Sequence, residues 1–384
     1  MFSVMPATFI YNHFVTGKNF FGRKQEISIL SNMLFSGENI VIYEPPKTGK
    51  TSLVQQTFFN MKISSQIFTP VEFSMLSIRS AADFACEFAS KVIRSFATTP
   101  SEYADAVSHY FEGTHFVFDE DLFIATDKIL TLNWELDEND LRSVLTLPYR
   151  VAEERNTKLY VILHEFQNAL LFDDPDLFLK TFEAVMKANP NGKASYILIG
   201  SQVNAMKEIF EHRHLFHRLV ERIELPQMET KDVIEFAVKG FLTNGKVLDK
   251  DLMLGACKLF RGHLWYINHF CAIADSLSRG YIMEPVLVEA LDVLISIHEP
   301  EFSRIMNDLT TYQVSLFRAV LEGHTKFSSS EVISRYGLNS SANVRRLKDA
   351  LCKKEIITFD ERDEPIVLDP LFEYWARTFY FGIK

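Results

Sequence analysis

Gly49, Lys50 and Thr51 stand in a row between an apolar run and a helix pattern, and together they could bind a phosphate. The run Asn39-Ile40-Val41-Ile42-Tyr43 reads as a buried strand, and apolar residues at Leu53, Val54, Phe58 and Met61 read as one side of a helix. Strand, loop and helix in that order are the context a phosphate-binding loop needs. Backbone N–H groups at a helix N-terminus, together with the helix dipole, attract a phosphate. Gly49 lets the backbone approach closely, the Lys50 ammonium reaches the β- and γ-phosphates, and the Thr51 hydroxyl can ligate Mg²⁺. The match to G-x-x-x-x-G-K-[ST] is incomplete, because Glu44 stands at the first glycine. A surface turn capped by Lys50 and Thr51 is the plainer alternative, but it leaves the stiffening pair Pro45-Pro46 without a purpose. The binding segment is read as Pro46, Lys47, Thr48, Gly49, Lys50, Thr51 and Ser52.

A second candidate is a carboxylate at a strand end. In Leu159-Tyr160-Val161-Ile162-Leu163-His164-Glu165-Phe166-Gln167, five apolar residues give way to polar ones, as in a central strand that delivers side chains to a ligand. Ser195-Tyr196-Ile197-Leu198-Ile199-Gly200 reads as another such strand, with Ser201 at its end. Glu165 could equally be an exposed strand-end residue, and Ser201 could simply begin a turn.

These residues need a scaffold, and the chain is long enough to supply one. Its 384 residues suggest two or three domains, and 47% hydrophobic with 23% charged residues is a globular composition. The 34 phenylalanines promise large aromatic cores. A net charge of −10 argues against non-specific nucleic-acid binding by the whole surface. Cys86, Cys257, Cys271 and Cys352 lack metal-ligand spacing and read as thiols in a reducing compartment. Met1 to Pro6 lacks the features of a signal peptide, and no apolar run is long enough for a membrane span, so a cytoplasmic protein is expected. Strands and helices alternate over residues 39–225, which indicates a parallel sheet covered on both faces. A second strand is expected over residues 67–74, a helix over 80–95, and an inserted hairpin over 114–134 with its turn near Asp119-Glu120-Asp121.

With these pieces assembled, the chain resembles the archaeal-type ATPases of the STAND group, relatives of the AAA+ proteins, as a bacterial member. The resemblance rests on Phe20-Phe21-Gly22-Arg23-Lys24-Gln25-Glu26-Ile27, then Gly49-Lys50-Thr51-Ser52-Leu53, then Glu165-Phe166-Gln167, and it extends over nearly the whole chain. It implies an α/β P-loop core with an AAA+-like parallel sheet over residues 1–225, a helical lid over 226–305 and a winged helix over 306–384. It also implies ATP or ADP with Mg²⁺ as cofactors, and Phe21, Gly22 and Arg23 beside the base. Glu165 would orient the attacking water, Ser201 would sense the γ-phosphate, and Arg218 would stabilise transition-state charge. Arg23 as a solvated helix-start residue and Arg218 as a surface arginine are the alternatives. The family's Mg²⁺-holding Asp is replaced by His164, and the proline of its Gly-His-Pro motif by Leu264 in Gly262-His263-Leu264. No nuclease domain is expected after the winged helix.

Residues 229–305 are expected to be helical throughout. The winged helix is expected as helices at 311–322, 329–336 and 341–354, followed by strands at 356–359 and 366–368. Eleven basic and eleven acidic residues balance over residues 306–384, and the turn from Asp360 to Glu364 is acidic. A wing that repels phosphate suits a protein-facing regulator better than a DNA reader. The partners expected are therefore adenine nucleotide and a protein partner or a second copy, with DNA not favoured. The function expected is a slow or partner-activated Mg²⁺-dependent ATPase that moves its lid and winged helix. The alternatives are a non-hydrolysing nucleotide switch and a DNA-binding regulator.

Overall fold

The computed structural model describes residues 8–189 and 192–383 and forms two compact units. The Met1–Pro6 stretch lies outside the described residues. The first unit, Lys24–Pro46 with Thr57–Glu224, is an α/β layer. Helix α1 (Lys24–Ser36) leads into β1 (Asn39–Tyr43), and α2 (Lys50–Ile63) leads into β2 (Phe68–Ser74). Helices α3 (Ala81–Arg94) and α4 (Pro100–Tyr110) follow. Next come β3 (Phe116–Val117), α5 (Glu120–Thr126), β4 (Thr131–Leu132), α6 (Glu138–Glu154) and β5 (Lys158–His164). The unit closes with α7 (Pro175–Ala188), β6 (Ala194–Gly200), α8 (Val203–Lys207) and β7 (Val220–Arg222).

Five strands pair in parallel in the order β2-β5-β6-β1-β7. Continuous apolar runs in β1, β5 and β6 fit a sheet buried on both faces, and β6 is buried along its whole length. The abundant phenylalanines form the core. Phe84, Phe88, Phe166, Phe178, Phe182 and Phe216 are fully buried and meet largely edge to face. The proline in edge strand β2, Pro70, is in the position that tolerates a missing N–H.

The inserted hairpin differs from the expectation. Phe116 and Val117 pair antiparallel with Leu132 and Thr131, but helix α5 lies between them where a turn was expected at Asp119-Glu120-Asp121. Asp119 accepts from Leu122 N–H at 3.0 Å as the N-cap, and Asp127 ends the helix in the left-handed region.

The second unit combines residues 8–23, Lys47–Gln56 and 225–383. Helices α9 (Thr230–Thr243), α10 (Met253–Phe260), α11 (Leu264–Leu277) and α12 (Glu284–Asn307) are not continuous with one another. Strands β8 (Val247–Leu248) and β9 (Tyr281–Ile282) pair in parallel between them, so the helical run expected over 229–305 is broken. The winged-helix segment has α13 (Thr311–Leu321), α14 (Ser330–Tyr336) and α15 (Ser341–Lys353). Antiparallel β10 (Ile357–Phe359) and β11 (Pro365–Val367) form the wing, and α16 (Pro370–Trp375) follows. Helix α12 runs past residue 305, so no break in secondary structure marks the start of the winged-helix segment. A single aromatic-rich core joins α9–α12 to α13–α16.

Candidate functional site

The phosphate-loop candidate is built by the turn between β1 and α2. Ile40 to Tyr43 are buried, which fixes the exit of the strand. Lys47 (φ 64°) and Gly49 (φ 97°) take left-handed backbone. A Cβ on Gly49 would meet no atom of the described residues within 4 Å, so among them the space over this glycine is open and the conformation is what requires glycine. Helix α2 begins at Lys50, and its first helical bond, Leu53 N–H to Gly49 O, is 2.9 Å long. The N–H groups of Thr51 and Ser52 lie ahead of that ladder, and the first turn contains no acidic residue. The donor set, the dipole and the open space fit a phosphate group. Lys50 is buried and Thr51 half-buried, and Ser52 Oγ accepts from Val15 N–H at 3.2 Å. Pro46 and Thr48 lie in the same turn.

The carboxylate candidate lies at the ends of two neighbouring strands. β5 ends at His164, and Glu165 follows with φ 56° and ψ 44°. Left-handed backbone costs a residue with a Cβ roughly 1–2 kcal/mol. Such strain concentrates at functional positions. Two donors converge on Glu165 Oε2: Ser201 Oγ at 2.5 Å and Gln167 Nε2 at 2.6 Å. Gln167 is buried, and its Oε1 has no hydrogen-bond partner among the described residues. His164 Nε2 is 3.6 Å from Glu72 Oε2, and its carbonyl accepts from Met75 N–H at 2.9 Å. Glu165 and Ser201 are thus brought together. Arg218 is exposed with φ 59°, held next to Phe216, which is buried among Phe166, Phe182 and Phe210.

Phe21, Gly22 and Arg23 pack on the segment that enters α9. Phe21 lies 4.9 Å from the Phe236 ring, and Arg23 Nη1 donates to Pro226 O at 3.0 Å. A Cβ on Gly22 would meet Met228 Cε, and one on Gly262 would meet Met228 O at 2.7 Å. The two glycine-containing motifs therefore close on one methionine. These contacts give Gly22, Arg23 and Gly262 a packing role whatever else they do.

Two participants went unassigned in the sequence. Gln167 was part of the Glu165-Phe166-Gln167 motif, but only the fold turns its amide back onto Glu165. Trp265 receives Lys47 Nζ over its ring at 3.7 Å from the centroid. The only trace of this in the sequence is a cation in one loop and an indole after Gly262-His263.

The winged-helix part is matched by a family model described as a probable winged helix domain, over residues 300–378. No curated protein sequence matches the chain. Among solved structures, the Walker-type ATPase PABY2304 of Pyrococcus abyssi is similar, with a TM-score of 0.64 at 15% identity over 96% of this chain and 99% of that one. The ORC2 protein of Aeropyrum pernix, solved in ADPNP–ADP complexes, is also similar, with a TM-score of 0.60 at 13% identity over 95% and 93%. The chain has an AAA+-like α/β fold. In this AAA+-type fold the parallel sheet and the C-terminal winged helix agree with the architecture expected from the sequence.

Proposed function

We propose that the chain binds ATP or ADP with Mg²⁺ through Pro46 to Ser52. The supporting observation is the β1–loop–α2 turn, with its left-handed Gly49, open space and helix start at Lys50. Lys50 would neutralise the β- and γ-phosphates, and the Thr51 hydroxyl would hold Mg²⁺. Phe21, Gly22 and Arg23 would lie beside the base. The test is ATP binding by Lys50→Ala, which removes an ammonium from the loop. Affinity should fall at least tenfold, at ~1.4 kcal/mol per tenfold. Equal affinity in the two proteins would remove the basis of this reading.

The reaction we assign is slow or partner-activated hydrolysis. Mg²⁺ would supply charge neutralisation at the phosphates. Glu165 would orient the water, Ser201 would hold Glu165 and sense the γ-phosphate, and Arg218 would stabilise developing charge. His164 supplies no anionic oxygen for a hard cation, which supports slow turnover and makes a non-hydrolysing switch the second reading. In either case the nucleotide state would move the lid and winged helix of a STAND-type cytoplasmic protein with a protein partner or a second copy. A DNA-binding regulator is not favoured, because Lys348 of α15 is taken up by Asp363 of the wing at 3.1 Å.

A further inference from the structure

Lys47 lies two residues before Gly49 and takes left-handed backbone. Its ammonium lies over Trp265 at 3.7 Å from the ring centroid, a cation–π contact between the loop and α11. Trp265 is a fixed platform. Its Nε1–H donates to Tyr11 O at 2.5 Å, and its ring lies edge-on to Tyr11, Tyr266, His269 and His298 at 5.0 to 6.3 Å.

The packing continues from there without a gap. His298 stacks on Phe302 at 5.9 Å, and Phe302 meets Phe372 and Trp375 of α16 at 5.5 and 5.7 Å. Tyr266 OH donates to Asp369 Oδ2 at 2.7 Å, and Asp369 is the N-cap of α16. Arg261 meets Glu373 of α16 at 3.1 Å. A chain of direct contacts therefore connects Trp265 to α16 of the winged-helix segment.

We propose that Lys47 is a latch, shared between the Trp265 ring and a polyphosphate in the loop, and drawn off the ring when ATP binds. The inference rests on the nucleotide reading above and names how that site is regulated. One ammonium faces two competing attractions, a neutral ring quadrupole and a multiply charged anion, and the anion is stronger at short range. A nucleotide that draws Lys47 off the ring gives up the cation–π contact, so in this proposal the ring and the nucleotide oppose one another by linkage.

Two measurements on the full chain test this. ATP binding with Mg²⁺ is measured by calorimetry for the wild-type protein and for Trp265→Leu, which frees Lys47. Affinity should rise roughly threefold to tenfold in the variant, and unchanged or weaker binding by a folded variant overturns the latch. Should Trp265→Leu fail to fold, Trp265 emission is followed in the Trp134→Phe/Trp375→Phe protein during the same titration. A change that saturates with the calorimetric curve is expected. Constant emission at saturating ATP overturns the latch but leaves the nucleotide reading standing. No ATP binding by the wild-type protein overturns both.

Discussion

Ser201 Oγ donates to Glu165 Oε2 over 2.5 Å, so one carboxylate ties together the ends of the parallel neighbours β5 and β6. Gln167 donates to the same oxygen from the turn that follows. A carboxylate held by two neutral donors keeps a fixed direction. In the line of side chains leaving β5, the residue before it is His164, paired at 3.6 Å with Glu72.

Turnover should rise when the residue beside Glu165 becomes an anionic oxygen donor. His164→Asp is expected to increase Mg²⁺-dependent phosphate release, and Glu165→Gln to abolish the residual rate. The wild-type rate alone should lie well below the ~1–100 s⁻¹ of kinases. Brisk wild-type turnover that His164→Asp slows would count against both roles.

Gly262 should be intolerant of a side chain. Its backbone is left-handed (φ 69°), and a Cβ would lie 2.7 Å from Met228 O and 2.9 Å from Met228 N. Gly262→Ala should lower unfolding stability by roughly 2–4 kcal/mol, from the backbone and overpacking costs together. Gly255→Ala is the control, because that glycine lies inside α10 and an added Cβ there meets nothing within 4 Å. It should be stabilising, by about 0.5–1 kcal/mol. Urea denaturation of the two variants checks both signs.

Stability should decline as pH falls below neutrality, partly through His269. Burial first, then His298 and the Lys47 ammonium, hold this imidazole down to about 4, from an ordinary 6.5. The unfolded chain takes up this proton near its ordinary value and the folded chain only near 4. Stability from this group is therefore full above 6.5 and lost as pH drops toward 4. Between pH 7 and 5 the loss is about 2 kcal/mol. His269→Phe keeps a ring against Tyr11, stacked at 4.1 Å, and should flatten that slope in denaturation at the two pH values.

The winged-helix segment should not bind DNA tightly. Arg345 and Arg346 are exposed on α15, but Lys348 is paired with Asp363 and lies over Phe359 at 4.0 Å. Affinity near nanomolar at physiological salt, lost in Arg345→Ala/Arg346→Ala, would contradict the protein-facing assignment.

The sheet strands were legible because their apolar runs are continuous and bounded by polar residues, as in β5 from Leu159 to Leu163. The α5 helix was not, because Asp119 is equally suited to a turn and to an N-cap. β8 and β9 escaped notice because each has two residues and their pairing is long-range. Gly49-Lys50-Thr51 could be read from local order alone. The meeting of Lys47 with Trp265, or of Gly22 and Gly262 on Met228, is set by tertiary packing and leaves no periodic trace in the chain.

Helix α12 is 24 residues long and passes through Pro300 without ending. At 1.5 Å per residue it is a rod of about 36 Å. His298, against which Trp265 packs, lies on this rod, and α13 begins just beyond its far end. Over that length a tilt of about 10° at Glu284 would carry Asn307 through about 6 Å, and the interior Pro300, which cannot donate to the helical ladder, is the point at which the helix would yield.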